Sequence, residues 1–194
     1  MKLSPRFEDA LAHACKVHAG MMRKGTSIPY VSHVLGAASI TLEHGATEDE
    51  AIGALLHDAA EDAGGAPVID EIRTLFGSAA ADIVAGCSDT FETPKPEWRK
   101  RKEDYIARLA SASSSVRLVS ASDKLHNVRA IISDYRQIGD TLWSRFNGGR
   151  EGTLWYYRAL ADRFQVLSHN RLAAELELAV QELERLTTPA MAAR

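Results

Sequence analysis

Several things are scarce in this chain, and each scarcity removes a class of protein. Only two cysteines occur among 194 residues, Cys15 and Cys87, and neither sits in a CxxC pair. That excludes zinc-ribbon and thioredoxin-type motifs, and leaves two small buried apolar residues in a reducing compartment as the expectation. No uninterrupted apolar run approaches the ~20 residues that span a bilayer. The opening MKLSPRFEDA lacks the apolar centre of a secretory signal. A cytoplasmic chain with no membrane partner is therefore expected. The formal net charge is -3, so no basic excess calls for nucleic acid.

What is present is ordinary for a globular protein, with 45% hydrophobic and 25% charged residues. The dominant period is helical. Ser4-Pro5 pairs an N-cap with proline at the first helical position, and Phe7, Ala10, Leu11, Ala14 and Val17 then recur on one face. A second helix is expected from near Val31 to His44-Gly45. Thr47 to Glu50 reads as a capping box opening a helix that ends near the glycines at 64 and 65. Further helices are expected after Pro67, after Ser78, from Trp98 to Leu109, and from Val116 through Ile132. Two or three more are expected to cover 141–146, 154–167 and 172–186. Residues 89–97 read as a loop, and the RKRKED run at 99–104 as a solvated helix face.

The chemistry concentrates at His33, His57-Asp58, Glu61-Asp62 and Asp123. His57 and Glu61 are four apart, as are Asp58 and Asp62, so a helix would stack each pair on one face. Leu55 and Leu56 just before them imply a partly buried setting. Burying so many ionisable groups is costly unless they are paired or bind a cation. A divalent metal resolves that cost, with His57 supplying nitrogen and Asp58 oxygen. His33 and Asp123 are the candidates for two further ligands. Mixed imidazole and carboxylate donors suit manganese, iron or similar ions better than magnesium. Alone, an HD dipeptide is a weak signal, and Asp123 could instead pair with Lys124. The joint order of the residues is what carries weight.

That order also carries a resemblance. Arg23-Lys24-Gly25 followed by Pro29-Tyr30-Val31-Ser32-His33, the run Ala54-Leu55-Leu56-His57-Asp58-Ala59-Ala60-Glu61-Asp62, and Ala121-Ser122-Asp123-Lys124-Leu125-His126-Asn127-Val128-Arg129 are similar to three motifs of one family. The sequence resembles the HD superfamily, and more narrowly the hydrolase domain of RelA/SpoT proteins and its single-domain Mesh-type relatives. Val34 stands where that family usually has proline, and Ala60 where it has a larger apolar residue. The resemblance implies an all-α HD-domain bundle of about 8–10 helices, in line with the helical periodicity. The chain's length fits one domain, expected here as a single HD hydrolase domain over residues 1–187 with 188–194 a frayed tail.

By the same resemblance, Mn2+ would be held by His33, His57, Asp58 and Asp123. The reaction would remove the 3′-pyrophosphate from guanosine alarmones, (p)ppGpp. Glu61 and Asp62 would be the catalytic pair that orients water or moves its proton. Arg23, Lys24 and Asn127 would bind substrate, with Arg23 able to stack on a base. Tyr156 and Tyr157 are candidate nucleoside contacts, though aromatics at helical spacing also read as core. The same ligands would serve adenosine alarmones, (p)ppApp, or NADPH. A catalytically silent nucleotide sensor is the alternative from another class, and a homo-oligomer stays open.

Overall fold

A computed structural model of the chain describes residues 2–92, 94–168 and 170–188, with the backbone alone at Asp62 and Ala63. Among the described residues ten α-helices follow in order: α1 Pro5–Val17, α2 Val31–Glu43, α3 Glu48–Leu56, α4 Ala59–Ala63, α5 Ala66–Phe76, α6 Ser78–Cys87, α7 Trp98–Arg108, α8 Ser114–Ile138, α9 Gly149–Ser168 and α10 Arg171–Thr187. A 3-10 helix, Gly139–Arg145, joins α8 to α9. Among the described residues there is no strand, only an isolated antiparallel bridge between Met22 and Pro29. The all-α expectation holds. Among the described residues no helix is long and apolar enough to cross a membrane. Residues 189–194, most of the expected frayed tail, lie outside the described residues.

Helix starts follow local chemistry. The Ser4 hydroxyl accepts from Arg6 N, the Thr47–Glu50 capping box is fully formed, and Ser113 and Asn170 cap α8 and α10. Gly77, at φ 87, ends α5 and begins α6 in a backbone region that only glycine enters freely.

The apolar side chains form two clusters. One gathers α1, α3, α5 and α6 around Ile52, Leu55, Leu56, Ile72 and Val84. The other gathers α7, α9 and α10 around Leu160, Phe164, Leu176 and Leu183. The 25-residue α8 belongs to both, giving Val116 and Val119 to the first and Leu125, Val128, Ile131 and Ile132 to the second. Where it passes from one to the other it carries buried Ser120, Ser122 and Asp123. Polar groups in the middle of a buried helix need partners. The candidate site residues gather at that crossing.

One expected helix is divided. Instead of running from Thr47 to the glycines, it stops at Leu56 and resumes at Ala59, with His57 and Asp58 forming the turn between α3 and α4. His57 keeps helical dihedrals but gives its ring nitrogen Nδ1 to the Ala54 carbonyl, at 2.8 Å. The break lets His57 and Asp58, adjacent in sequence, face the same point, which an unbroken helix would not allow.

Candidate metal centre and active site

Three elements deliver the proposed ligands. His33 lies in the first turn of α2, His57 and Asp58 at the α3–α4 break, and Asp123 at the middle of α8. Nitrogen and oxygen donor atoms of His33, His57 and Asp58 all lie within 4.8 Å of one another. Asp123 joins them through Oδ1, 3.1 Å from His33 Nε2 and 3.5 Å from His57 Nε2. Asp58 Oδ2 is 3.4 Å from His33 Nε2 and 3.1 Å from His57 Nε2.

The orientation of His57 tests whether these residues fit a cation. A carbonyl oxygen only accepts, so the contact with Ala54 makes Nδ1 the protonated nitrogen. Nε2 is therefore the nitrogen that faces the two carboxylates, and it is the atom a cation would take once its proton is gone. His57 Nε2 is buried and makes no hydrogen bond of acceptable geometry. Two imidazoles and two carboxylates that converge on one point, with His57 Nε2 left unbonded, form a donor set suited to a divalent cation. Without one, the cluster holds itself by charge. Burial works against the Asp58 carboxylate, but His57 and His33 outweigh it and hold Asp58 well below the usual range. For Asp123 burial is likewise outweighed, by Lys124 and then His57. Burial lowers His57, yet Asp58 and Asp123 together raise it well above an ordinary histidine.

A second ring of contacts fixes these ligands. The Tyr30 hydroxyl donates to Asp58 Oδ2 at 2.6 Å. The Asn127 amide donates to Asp123 Oδ1, and Arg23 Nη2 donates to Asn127 Oδ1 at 2.8 Å. His126 Nδ1 lies 2.9 Å from His33 Nδ1. Burial first, then His33 and Arg23, push His126 down to about 4, so it is neutral near pH 7. Gly36 allows that contact, since a Cβ there would lie 2.2 Å from the His126 ring.

The remaining residues singled out from sequence are placed as follows. Glu61 lines the cavity holding the ligand cluster, and its Oε1 accepts from Asp89 N. Burial raises its carboxyl above the usual glutamate range, against the backbone bond from Asp89. The side chain of Asp62 lies outside the described residues. Arg23 and Asn127 line both this cavity, of about 150 Å³, and a neighbouring one of about 430 Å³. Lys24 lines the larger cavity and donates to Asn147 Oδ1 at 3.2 Å. Tyr156 is at the wall of the smaller cavity and Tyr157 of the larger, both mostly buried.

Sequence reasoning missed three features. Tyr30 acts on Asp58, although only its place in a motif had been noticed. His126 lies three residues after Asp123 and therefore on the same helical face, a spacing that could have identified it. The 99–104 run is only half solvated: Arg101 and Lys102 turn inward to the buried Asp89 carboxylate. Cys15 is exposed, contrary to expectation, while Cys87 is buried.

A family model described as an HD domain matches residues 10–154. The chain belongs to the HD domain family. Among curated relatives, the guanosine-3′,5′-bis(diphosphate) 3′-pyrophosphohydrolase MESH1 of Danio rerio is 34% identical over 103 residues, 52% of this chain and 54% of that protein. The chain thus spans about half the length of that relative. Mus musculus MESH1 is 32% identical over 139 residues, covering 70% of this chain and 73% of the relative. The solved structure of a metazoan ortholog of SpoT, one that hydrolyses ppGpp, superposes with a TM-score of 0.75 at 26% identity, covering 98% of this chain and 99% of that one. A Listeria monocytogenes structure shares the fold, with a TM-score of 0.66 at 24% identity over 80% of this chain and 98% of that one.

Proposed function

We propose that the protein is a manganese-dependent hydrolase that removes the 3′-pyrophosphate from guanosine alarmones, (p)ppGpp. The observation that carries this reading is the convergence of His33, His57, Asp58 and Asp123, three of which, His33, Asp58 and Asp123, line a polar cavity that shares Arg23, Tyr30 and Asn127 with a larger one beside it. The first suits phosphate chemistry, and the second has room for a nucleoside. The names and activities of the relatives point the same way. On this reading the protein is a cytoplasmic enzyme of the stringent response.

His33, His57, Asp58 and Asp123 would hold the ion, and their mixed nitrogen and oxygen donors favour manganese over magnesium. When bound, it supplies the Lewis acidity that polarises a phosphate oxygen and makes water a nucleophile near neutral pH. Water would add at the phosphorus carried by the ribose O3′, the bond from phosphorus to that oxygen would break, the ribose oxygen would take up a proton to become the 3′-hydroxyl, and pyrophosphate would be released. Glu61, made more basic by burial, takes the proton of the attacking water. Asp62, one residue on, is assigned the companion role of orienting that water. Asn127 is fixed between Arg23 and Asp123, which aims its amide at the junction of the two cavities. Arg23 offers a flat guanidinium to the base, with Lys24 nearby for the 5′-phosphates. Tyr156 and Tyr157 close the walls around the nucleotide.

The test is product analysis by ion-exchange chromatography after incubation with ppGpp, pppGpp, ppApp or NADPH, with and without Mn2+. The expected products are GDP and GTP from the two guanosine alarmones, each with pyrophosphate, only when metal is present. Binding without turnover of any substrate would identify a nucleotide sensor instead. Turnover confined to ppApp or NADPH would overturn the choice of substrate.

A further inference from the structure

The two faces of α7 have different fates. Arg99 and Lys100 form exposed pairs along the helix with Glu103 and Asp104, at 2.7 and 2.8 Å. Arg101 and Lys102 point the other way, and both reach Asp89 Oδ2. Because Arg101 already neutralises that carboxylate, Lys102 brings a surplus positive charge to the wall of the ligand-bearing cavity. Lys124, on α8, lines the same wall and pairs with Asp123. Among the described residues each ammonium has one carboxylate partner, which leaves donors over from the three that each carries. Burial, then the neighbouring Lys124, pulls Lys102 below the ordinary lysine range. Two ammonium groups on the wall of one cavity, each with donors to spare, form a site that an anion can bridge.

Tyr156 supplies the second, independent observation. Its side chain is 94% buried, being 6% exposed, and it lines this cavity, yet its hydroxyl has no hydrogen-bond partner. The Lys102 ammonium lies 5.1 Å from the centre of its ring. A buried phenol with an unmade bond is costly unless a ligand completes it. Lys102, Lys124 and Tyr156 line the smaller cavity but not the larger one. They therefore sit away from the end where the nucleoside would enter.

We infer that Lys102, Lys124 and the Tyr156 hydroxyl form a subsite for the distal phosphate of the 3′-pyrophosphate, so that α7 selects a 3′-pyrophosphoryl over a 3′-monophosphoryl group for transfer to water. This rests on the hydrolase reading of the same site. Lys102 and Lys124 supply charge-assisted hydrogen bonds to that phosphate, and Tyr156 donates a third. A substrate with a single 3′-phosphate would leave all three unmet.

The test is calorimetric titration of inorganic pyrophosphate and, separately, inorganic phosphate into the metal-loaded protein, with metal content measured in every sample. The variants are Lys102→Met, Lys102→Arg, Tyr156→Phe and the exposed control Lys100→Met. Wild type is expected to prefer pyrophosphate. Lys102→Met is expected to lose about tenfold or more in pyrophosphate affinity, the effect of one lost charge-assisted hydrogen bond, with metal retained and phosphate binding little changed. Lys102→Arg should recover most of the loss, and Lys100→Met should match wild type. Tyr156→Phe removes a hydroxyl with no partner, so it should weaken pyrophosphate binding without lowering the melting temperature. That split separates a ligand contact from a packing role. Pyrophosphate affinity unchanged within about twofold in metal-replete Lys102→Met and Tyr156→Phe overturns the subsite, since a contact to a charged group is worth more than that. Selective pyrophosphate binding that the variants abolish, in a protein that hydrolyses no alarmone, supports the subsite and refutes the proposed function instead.

Discussion

Replacing Tyr30 by phenylalanine deletes one oxygen and leaves the ring in place. That oxygen donates to Asp58 Oδ2 at 2.6 Å, the carboxylate oxygen that also faces His57 Nε2 at 3.1 Å and His33 Nε2 at 3.4 Å. The aromatic contact to Arg23, 5.8 Å from the ring centre, survives the change. The effect should therefore fall on the orientation of Asp58. Loss of an outer hydrogen bond to a metal ligand typically weakens metal affinity about 10–100-fold. At about 1.4 kcal/mol per decade this is ~1.4–2.8 kcal/mol, the range expected for a hydrogen bond to a charged acceptor. The metal-free fold should lose less, because His33 and His57 still partner Asp58. A shift of only ~2–4 °C in melting temperature is expected, the usual change per kcal/mol for a chain of this size. Metal affinity is read by competition against a coloured chelator, with Tyr135→Phe as control because its hydroxyl donates to Asp140 at 3.1 Å, outside the cavity. Equal affinities for Tyr30→Phe and wild type would refute the reasoning that Tyr30 positions Asp58.

Glu61→Gln should keep its full metal content and lose about 10²–10⁴-fold in turnover, the usual share of a general base. An active, metal-replete variant would make Glu61 structural through its bond to Asp89 N. Arg23→Lys keeps the charge but loses the planar fork that reaches Asn127 and can cover a base. Its catalytic efficiency should fall clearly and that of Arg23→Ala further; near-wild-type values for both would remove Arg23 from the site. Gly36→Ala puts a methyl group 2.2 Å from the His126 ring, so His126 must move and His33 loses its Nδ1 partner. A stability loss of ~1–3 kcal/mol by overpacking is expected in thermal unfolding, and an unchanged melting temperature would show that the close approach is relieved at no cost.

Much of the bundle was legible because its helices announce their own ends. Ser4-Pro5, the Thr47–Glu50 box and Gly77 act locally, so the sequence shows them without knowledge of the fold. The convergence of His33, His57, Asp58 and Asp123 was legible for a different reason. His33, His57, Asp58 and Asp123 are ionisable residues set among apolar neighbours, a placement that is costly without a purpose. What stayed hidden depends on contacts between distant segments. The break at His57-Asp58 has no proline or glycine to mark it, and α2 and α8 deliver the partners that these two residues face. The inward face of α7 depends on Asp89, a buried carboxylate in what reads as an open loop. The role of Gly36 becomes visible only when His126, ninety positions later in the chain, packs against it.

The most direct measurement is anomalous diffraction at the manganese absorption edge from crystals grown with Mn2+. The account predicts one strong peak bounded by His33 Nε2, His57 Nε2, Asp58 and Asp123, about 2.0–2.3 Å from each ligand atom as usual for first-row metals. The same crystals of Asp123→Asn should show the peak weakened or lost. A peak elsewhere on the protein, or none while His33, His57, Asp58 and Asp123 keep the positions described, would contradict the metal-centred account.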